Sequence, residues 1–381
     1  MSPRSAGLPT LITLFTLLGV AAPLPARATL QPDPANPLIA VQPKVDPLYG
    51  QQVEAIDRWL NEGFALLAEG NYQGAIRAFE SALELDDTLA IAWSGLGSAQ
   101  YELGRYDEAI ASHNQAIAID PTRPLVWVNL GNALDDNGDP ASALEAYDRA
   151  LEIDPSSVDA WFNQGITLGR LGQFEAALNA FNQVVRLAPD AERGWYLQGN
   201  ALSDLERFDQ AIVAYDRSLS LNPNQENAWF NRGFALLMES QYKDALDSFD
   251  RALSFNPNNS DTWFNRGLAL VNLDRYDEAF AAFDQVITLN PQDVGGWFYR
   301  GNTLFLMEQM EEALSSYEEA IAINPEAENV WYIKGLVLGT MGRYGDAIAA
   351  FERVLEINPS NIEAQQELER LKQELETSST L

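Results

Sequence analysis

Apolar and polar positions recur along this chain with two superimposed periods, one of three to four residues and one of 34. Residues 105–119 show the short period. Ala109, Ile110, Ala116 and Ile117 share one face with His113 between them, and the remaining positions are mostly polar. This is the spacing of a helix with one wet side. Asp107 and Glu108 suit the first turn of that helix, where the dipole favours acids, and Pro121 ends it by lacking an N–H and disfavouring helix in the residue before it. The segment that alternates with it has two apolar stripes side by side, which predicts a helix buried over a wide arc with neighbours on more than one side. Each 34-residue stretch therefore predicts a helical hairpin: an inner helix A, a short turn and an outer helix B.

The long period is anchored by tryptophan. All nine, Trp59, Trp93, Trp127, Trp161, Trp195, Trp229, Trp263, Trp297 and Trp331, lie 34 residues apart, and a period of roughly 20–50 residues marks a stacked array rather than a single core. Glycine follows four residues after each, from Gly63 to Gly335, and alanine sixteen after, from Ala75 to Ala347. Twenty after lies Phe or Tyr, except for His113 in the second repeat, and proline closes every repeat but the first, which has Asp87. A glycine in mid-helix costs about 1 kcal/mol against alanine. Its retention in every repeat implies that a backbone or a bulky ring needs the space. Gly70, Gly104, Gly138, Gly172 and Gly342 fall where helix A should stop and suit a left-handed C-cap.

The columns W-x3-G, A-x3-[F/Y] and a closing proline at this period resemble the tetratricopeptide repeat family over roughly residues 56–361, in nine contiguous units. The resemblance implies an all-α fold, a right-handed superhelical α-solenoid of stacked helix-turn-helix repeats whose A helices line a concave groove. It gives the organisation 51–361 for the nine repeats. A C-terminal capping helix is expected over 362–376, where Ile362, Leu368, Leu371 and Leu375 share a face, and a disordered tail over 377–381. At the other end, Arg4, the apolar run from Leu11 to Ala22 and the Ala26-Arg27-Ala28 site read as an export signal over 1–28. The run is shorter than the roughly 20 residues of a membrane span, although an uncleaved anchor is the alternative. Five prolines make 29–50 a proline-rich linker. The expected location is periplasmic, luminal or secreted.

Within the repeats, positions −2, +1, +5 and +8 from each tryptophan turn away from both packing stripes, and the resemblance places them on the groove. Phe162, Tyr196, Phe230, Phe264, Phe298 and Tyr332 form an aromatic ladder at +1. Asn200, Phe234, Leu268 and Asn302 follow at +5, and Leu237, Val271 and Phe305 at +8. A contiguous apolar strip of that size marks a binding surface, one that suits an apolar peptide or an amphipathic helix. The competing reading packs the +1 rings between successive A helices. Arg193 is the sole cation in these four columns, and is placed to lie on the Tyr196 ring or pair with a carboxylate. Some members of the resembled family clamp a terminal carboxylate with several cations. The recurrent asparagines at +2 (Asn61, Asn129, Asn163, Asn231, Asn265) match that pattern, but the cation cluster is missing. Arg232, Arg266, Arg300 and Lys334 at +3 point away from the groove, toward B-helix carboxylates such as Asp250, Asp284 and Glu318.

Charge narrows the partners. The chain carries 24 basic and 55 acidic residues, a formal −31. Residues 1–28 hold two arginines and no acid, so their removal gives −33. Such a surface disfavours nucleic acid and anionic membranes and favours neutral, apolar or basic protein segments. The absence of cysteine excludes thiol chemistry and disulfides. His113 is the one histidine, sits in the aromatic column and reads as a core substitute, so neither a Ser-His-Asp triad nor a multi-histidine metal site can be built on it. The acidic run 135–139 lacks calcium-loop spacing and coincides with an A–B turn. No cofactor or metal is implied and no enzyme is expected. The expectation is an exported scaffold or adaptor that binds protein through its groove. The alternatives are a repeat module serving an envelope or carbohydrate-processing enzyme system, or a structural spacer.

Overall fold

A computed structural model describes residues 47–379, with side chains from 51 to 376. The expected signal at 1–28 lies outside the described residues, as does most of the linker. Among the described residues there are 19 helices and no strand. The chain divides into two bodies at Asp154/Pro155. The first holds α1 (Pro47–Ala68), α2 (Tyr72–Leu85), α3 (Ala90–Glu102), α4 (Tyr106–Ile119), α5 (Pro124–Asp136) and α6 (Pro140–Ile153). The second holds α7 (Val158–Arg170), α8 (Phe174–Leu187), α9 (Glu192–Asp204), α10 (Phe208–Leu221), α11 (Glu226–Met238), α12 (Tyr242–Phe255), α13 (Ser260–Asn272), α14 (Tyr276–Leu289), α15 (Val294–Leu306), α16 (Met310–Ile323), α17 (Glu328–Thr340), α18 (Tyr344–Ile357) and α19 (Ile362–Ser379).

Two boundaries differ from expectation. Helix α1 begins at Pro47, inside the stretch read as linker, because proline is well tolerated in the first turn of a helix. Helix α19 continues to Ser379, beyond 376 and into the stretch read as a disordered tail.

Within each body, successive helices pack as neighbours, so each is an α-solenoid of hairpins. The contact that fixes the hairpin is ring on glycine. A Cβ built on each +4 glycine would lie 2.5–2.9 Å from a ring atom of the +20 side chain in the same repeat, for example Gly131 against Tyr147 and Gly233 against Phe249. The rings themselves, such as Phe79, Tyr147, Phe249 and Phe351, are fully buried. The glycines are therefore retained for a ring and not for a backbone approach.

The joint between hairpins is a hydrogen bond. Each tryptophan from Trp93 onward donates its indole N–H to the carbonyl six residues back, in the loop that leaves the preceding B helix, at 2.8–3.0 Å. Gln365 of α19 stands 34 residues after Trp331 and donates to Pro359 O in the same way, at 2.9 Å. Ala364 and Leu371 of that helix are fully buried. The C-terminal helix is thus built as a further A helix with an amide in place of the indole.

All nine A–B turns share one backbone design, in which the N–H three residues past the last helical residue reaches five residues back, as Asn71 to Leu66 O and Gln241 to Leu236 O. The residue just before that donor is left-handed. It is glycine in five repeats, but Glu206, Ser240, Asp274 and Glu308 adopt the same conformation with φ of 57–62°, at about 1 kcal/mol each. The Schellman geometry is thus set by the packed hairpin and not by glycine alone. The acidic run 135–139 is one of these turns: Gly138 is left-handed and Asp139 caps α6 by accepting from Ser142 N.

His113 fills the ring position above Gly97. It is fully buried, and both ring nitrogens lack a hydrogen-bond partner. Burial lowers its pKa from 6.5 to about 4. A group depressed in this way is neutral in both states above pH 6.5. Below that, the unfolded chain takes up a proton that the folded repeat refuses, so stability falls as pH drops from 6.5 to 4, by about 3 kcal/mol in all. Amide exchange of α3 and α4 should accelerate strongly between pH 7 and pH 4.5 after correction for intrinsic rates, and His113→Phe should remove most of that dependence. An unchanged dependence in the variant would assign it to other groups.

Candidate protein-binding face

The odd-numbered helices form the inner side of each body. In the first, α1 approaches α3 and α3 approaches α5; in the second, α9 approaches α11 and α11 approaches α13, and no pair of even-numbered helices comes as close. The +1, +5 and +8 columns therefore belong to the inner helices. They do not all reach the surface.

At +1, Phe162, Tyr196 and Phe298 are buried, at 5–8% exposure, whereas Phe230, Phe264 and Tyr332 are half-buried. Every one of these rings packs on the B-helix ring of its own repeat, at 5.6–6.5 Å between centroids and mostly tilted or edge-on, the favoured geometries for aromatic pairs. The next inner helix covers some of them: Arg193 lies 5.1 Å over Phe162, and Tyr299 meets Phe264 edge-on at 5.2 Å. Arg193 thus sits on the ring of the preceding repeat. At +8, Leu237 is buried, while Val271 and Phe305 are half-buried.

The +5 column follows a rule that concerns the core. Wherever the ring at +20 is tyrosine, +5 is asparagine and accepts its hydroxyl: Tyr147 to Asn132 at 2.8 Å, Tyr215 to Asn200 at 2.9 Å and Tyr317 to Asn302 at 2.9 Å. Wherever the ring is phenylalanine, +5 is apolar, as in Phe249 with Phe234 and Phe283 with Leu268. A buried phenol needs a partner and a buried phenyl does not. The Oδ1 of Asn200 and that of Asn302 therefore each take a tyrosine hydroxyl, while Asn302 Nδ2 has no partner. Asn200 also accepts from Asn231 Nδ2 of the next repeat, at 2.9 Å. Burial raises the pKa of Tyr215 and of Tyr317, which keeps both hydroxyls as donors.

Part of the inner face that stays open is apolar in three successive repeats. Phe230 and Phe234 of α11, Phe264, Leu268 and Val271 of α13 and Phe305 of α15 are each half-buried. With Tyr332 of α17, these are the apolar and aromatic residues of the expected groove that stay half-open; Asn200 and Asn302 are half-buried as well.

The +3 cations turn to the outer side. Arg232, Arg266, Arg300 and Lys334 pair with Asp216, Asp250, Asp284 and Glu318 of the preceding B helix at 2.6–3.1 Å. Each also lies over the tryptophan of its own repeat, at 5.4–5.9 Å. In the fifth repeat the +3 residue is Gln198, and a cleft of about 460 Å³ opens there among α8, α9 and α10. Sequence reasoning did not single out this cleft. Its signal is that Gln198 stands at +3 one repeat before the cations of that column begin at Arg232.

Among the described residues, no group of three or more His, Cys, Asp or Glu side chains could hold a metal ion, and no helix is long and apolar enough to cross a membrane.

Family models described as tetratricopeptide repeat match residues 128–192, 162–226, 196–260, 260–293, 295–326 and 328–361, and a model described as TPR repeat matches 63–104 and 97–138. None of the curated proteins compared with the chain matches it. Among solved structures, the C-terminal part of a TPR repeat-containing protein from Cytophaga hutchinsonii is 18% identical, with 62% of this chain and 97% of that chain covered and a TM-score of 0.53. At this identity the similarity is one of fold. YrrB, described as a TPR protein with an unusual peptide-binding site, is 24% identical over 48% of this chain and 95% of its own, at a TM-score of 0.46. PilF of Pseudomonas aeruginosa is 21% identical over 57% and 98%, at 0.48.

The asparagine–tyrosine rule predicts a compensating pair. Tyr317→Phe strands the Asn302 amide and should cost about 1–2 kcal/mol in urea unfolding. The double variant Tyr317→Phe/Asn302→Leu reproduces the Phe283–Leu268 pairing and should recover most of that loss.

Proposed function

We infer that this chain, which belongs to the tetratricopeptide repeat family, is an exported scaffold that holds an apolar or basic segment of a partner protein against its inner helices. The repeats support a protein-interaction role. The finer reading rests on one observation: the half-buried apolar strip from Phe230 to Phe305, contributed by α11, α13 and α15. Burial of such a strip by a complementary face supplies roughly 25 cal/mol per Å² of apolar area.

Charge selects the partner. The chain is at −31, and Arg193, the sole cation of the inner columns, already lies over Phe162. Acidic segments are repelled, and an amphipathic helix with lysines flanking its apolar side is attracted. The leader-like residues 1–28, with the A-x-A site at Ala26-Arg27-Ala28, support the export part of this reading.

A fluorescein-labelled amphipathic helix of leucine and lysine should bind saturably, with affinity that weakens as salt rises. Leu268→Asp should weaken it about tenfold or more, while the far-ultraviolet circular dichroism stays unchanged. Equal binding by wild type and variant would remove the strip as the docking surface. Protein recovered from the exported fraction should begin at Thr29, and a retained residue 1 would point to the anchored form.

A further inference from the structure

The outer cleft among α8, α9 and α10 differs in its chemistry from the equivalent places in the repeats that follow it. In the four repeats that follow, the equivalent position holds a cation over the tryptophan, tied to a carboxylate of the preceding B helix. Here both partners are carboxamides: Gln198 replaces the cation and Asn182 the carboxylate, joined by Gln198 Nε2 donating to Asn182 Oδ1 at 2.6 Å. The space over Trp195 that a cation takes in its neighbours is left to the cleft, and Trp195 lines it.

We propose that this cleft is a binding site for neutral carbohydrate. Four carboxamides line it: Asn179, Asn182, Gln198 and Gln210. The amide pair leaves the Asn182 NH2 and the Gln198 carbonyl unspent, and Asn179 and Gln210 make no side-chain hydrogen bond of their own among the described residues. Donors and acceptors are thus balanced and uncharged, which is what a set of hydroxyls requires, since each hydroxyl both gives and accepts. The one ion pair at the rim, Arg207 with Glu175, is internally neutralised. Trp195 supplies an apolar surface for the C–H face of a sugar ring. Val213, at 65% exposure, adds an open apolar edge that the fold itself does not use. The cleft volume of about 460 Å³ lies within the roughly 300–1,000 Å³ of small-molecule sites.

An extended peptide would need the amide pattern to repeat along the array. It does not repeat: Arg232 and Asp216 close the equivalent place one repeat on, 2.6 Å apart. A neutral cleft on an otherwise acidic chain suits a compact polyhydroxyl ligand.

The test uses the full chain and a panel of neutral trisaccharides (maltotriose, cellotriose and chitotriose), read by calorimetry and by the indole N–H resonance of Trp195. At least one should bind saturably and shift that resonance. Asn179→Ala and Gln210→Ala should each weaken binding about tenfold, the value of one good hydrogen bond. The double variant Gln198→Arg/Asn182→Asp copies the ion pair of the next repeats, so it should fold with undiminished thermal stability and lose binding altogether. Three outcomes overturn the proposal: no saturable binding by any trisaccharide, binding that survives in the filled variant, or a blocked neutral tripeptide that binds through the same residues while sugars do not.

Discussion

The structure depends on one steric exchange made nine times: a glycine gives up its side chain so that a ring from the facing helix can occupy the space. Neither half works alone. A mid-helix glycine costs about 1 kcal/mol in helix propensity, and a ring of that size on the outer helix would hold the two helices apart. Together they bring helix A so close to helix B that a Cβ on the glycine would lie under 3 Å from the ring, and they bury rings such as Tyr147, Tyr215, Phe249 and Phe283 completely. Even the exception keeps the exchange. His113 takes the ring position over Gly97 and leaves two nitrogens unpaired in the core.

The identity of the ring then sets what the inner face can show. A tyrosine requires an acceptor at +5 and so places asparagine there, whereas a phenylalanine frees +5 for an apolar residue. The open apolar strip lies where consecutive repeats use phenylalanine, as at Phe249 and Phe283, with Phe234 and Leu268 above them. Tyr215 and Tyr317 bound it, each tied to its asparagine. Core chemistry thus reaches the surface one side chain later, and the two cannot be varied independently.

The hairpins, their stacking and the role of glycine were legible in the sequence because rare residues kept an exact period and each column had a single physical reading. Depth on the inner face was less legible. Helical angle places Phe162 and Phe230 in one column, but only the packed structure shows the first buried under Arg193 and the second half-open. Asn200 and Asn302 were read as groove residues because the hydroxyls that claim them lie 15 residues away on another helix. Comparison of the +5 and +20 columns contains that signal. The outer cleft was invisible for a different reason. It lies where the +3 residue is still an amide, Gln198, one repeat before the cations begin at Arg232, and its depth depends on which neighbouring side chains fill the space over Trp195.

The Gln365 amide separates two properties that the tryptophans combine. An indole supplies both a donor to the preceding loop and a broad apolar surface for the next hairpin; a glutamine supplies the donor alone. The joint at Pro359 forms with the donor alone, at 2.9 Å. Seating an inner helix on the loop before it therefore requires the N–H at this position and not the ring that carries it elsewhere.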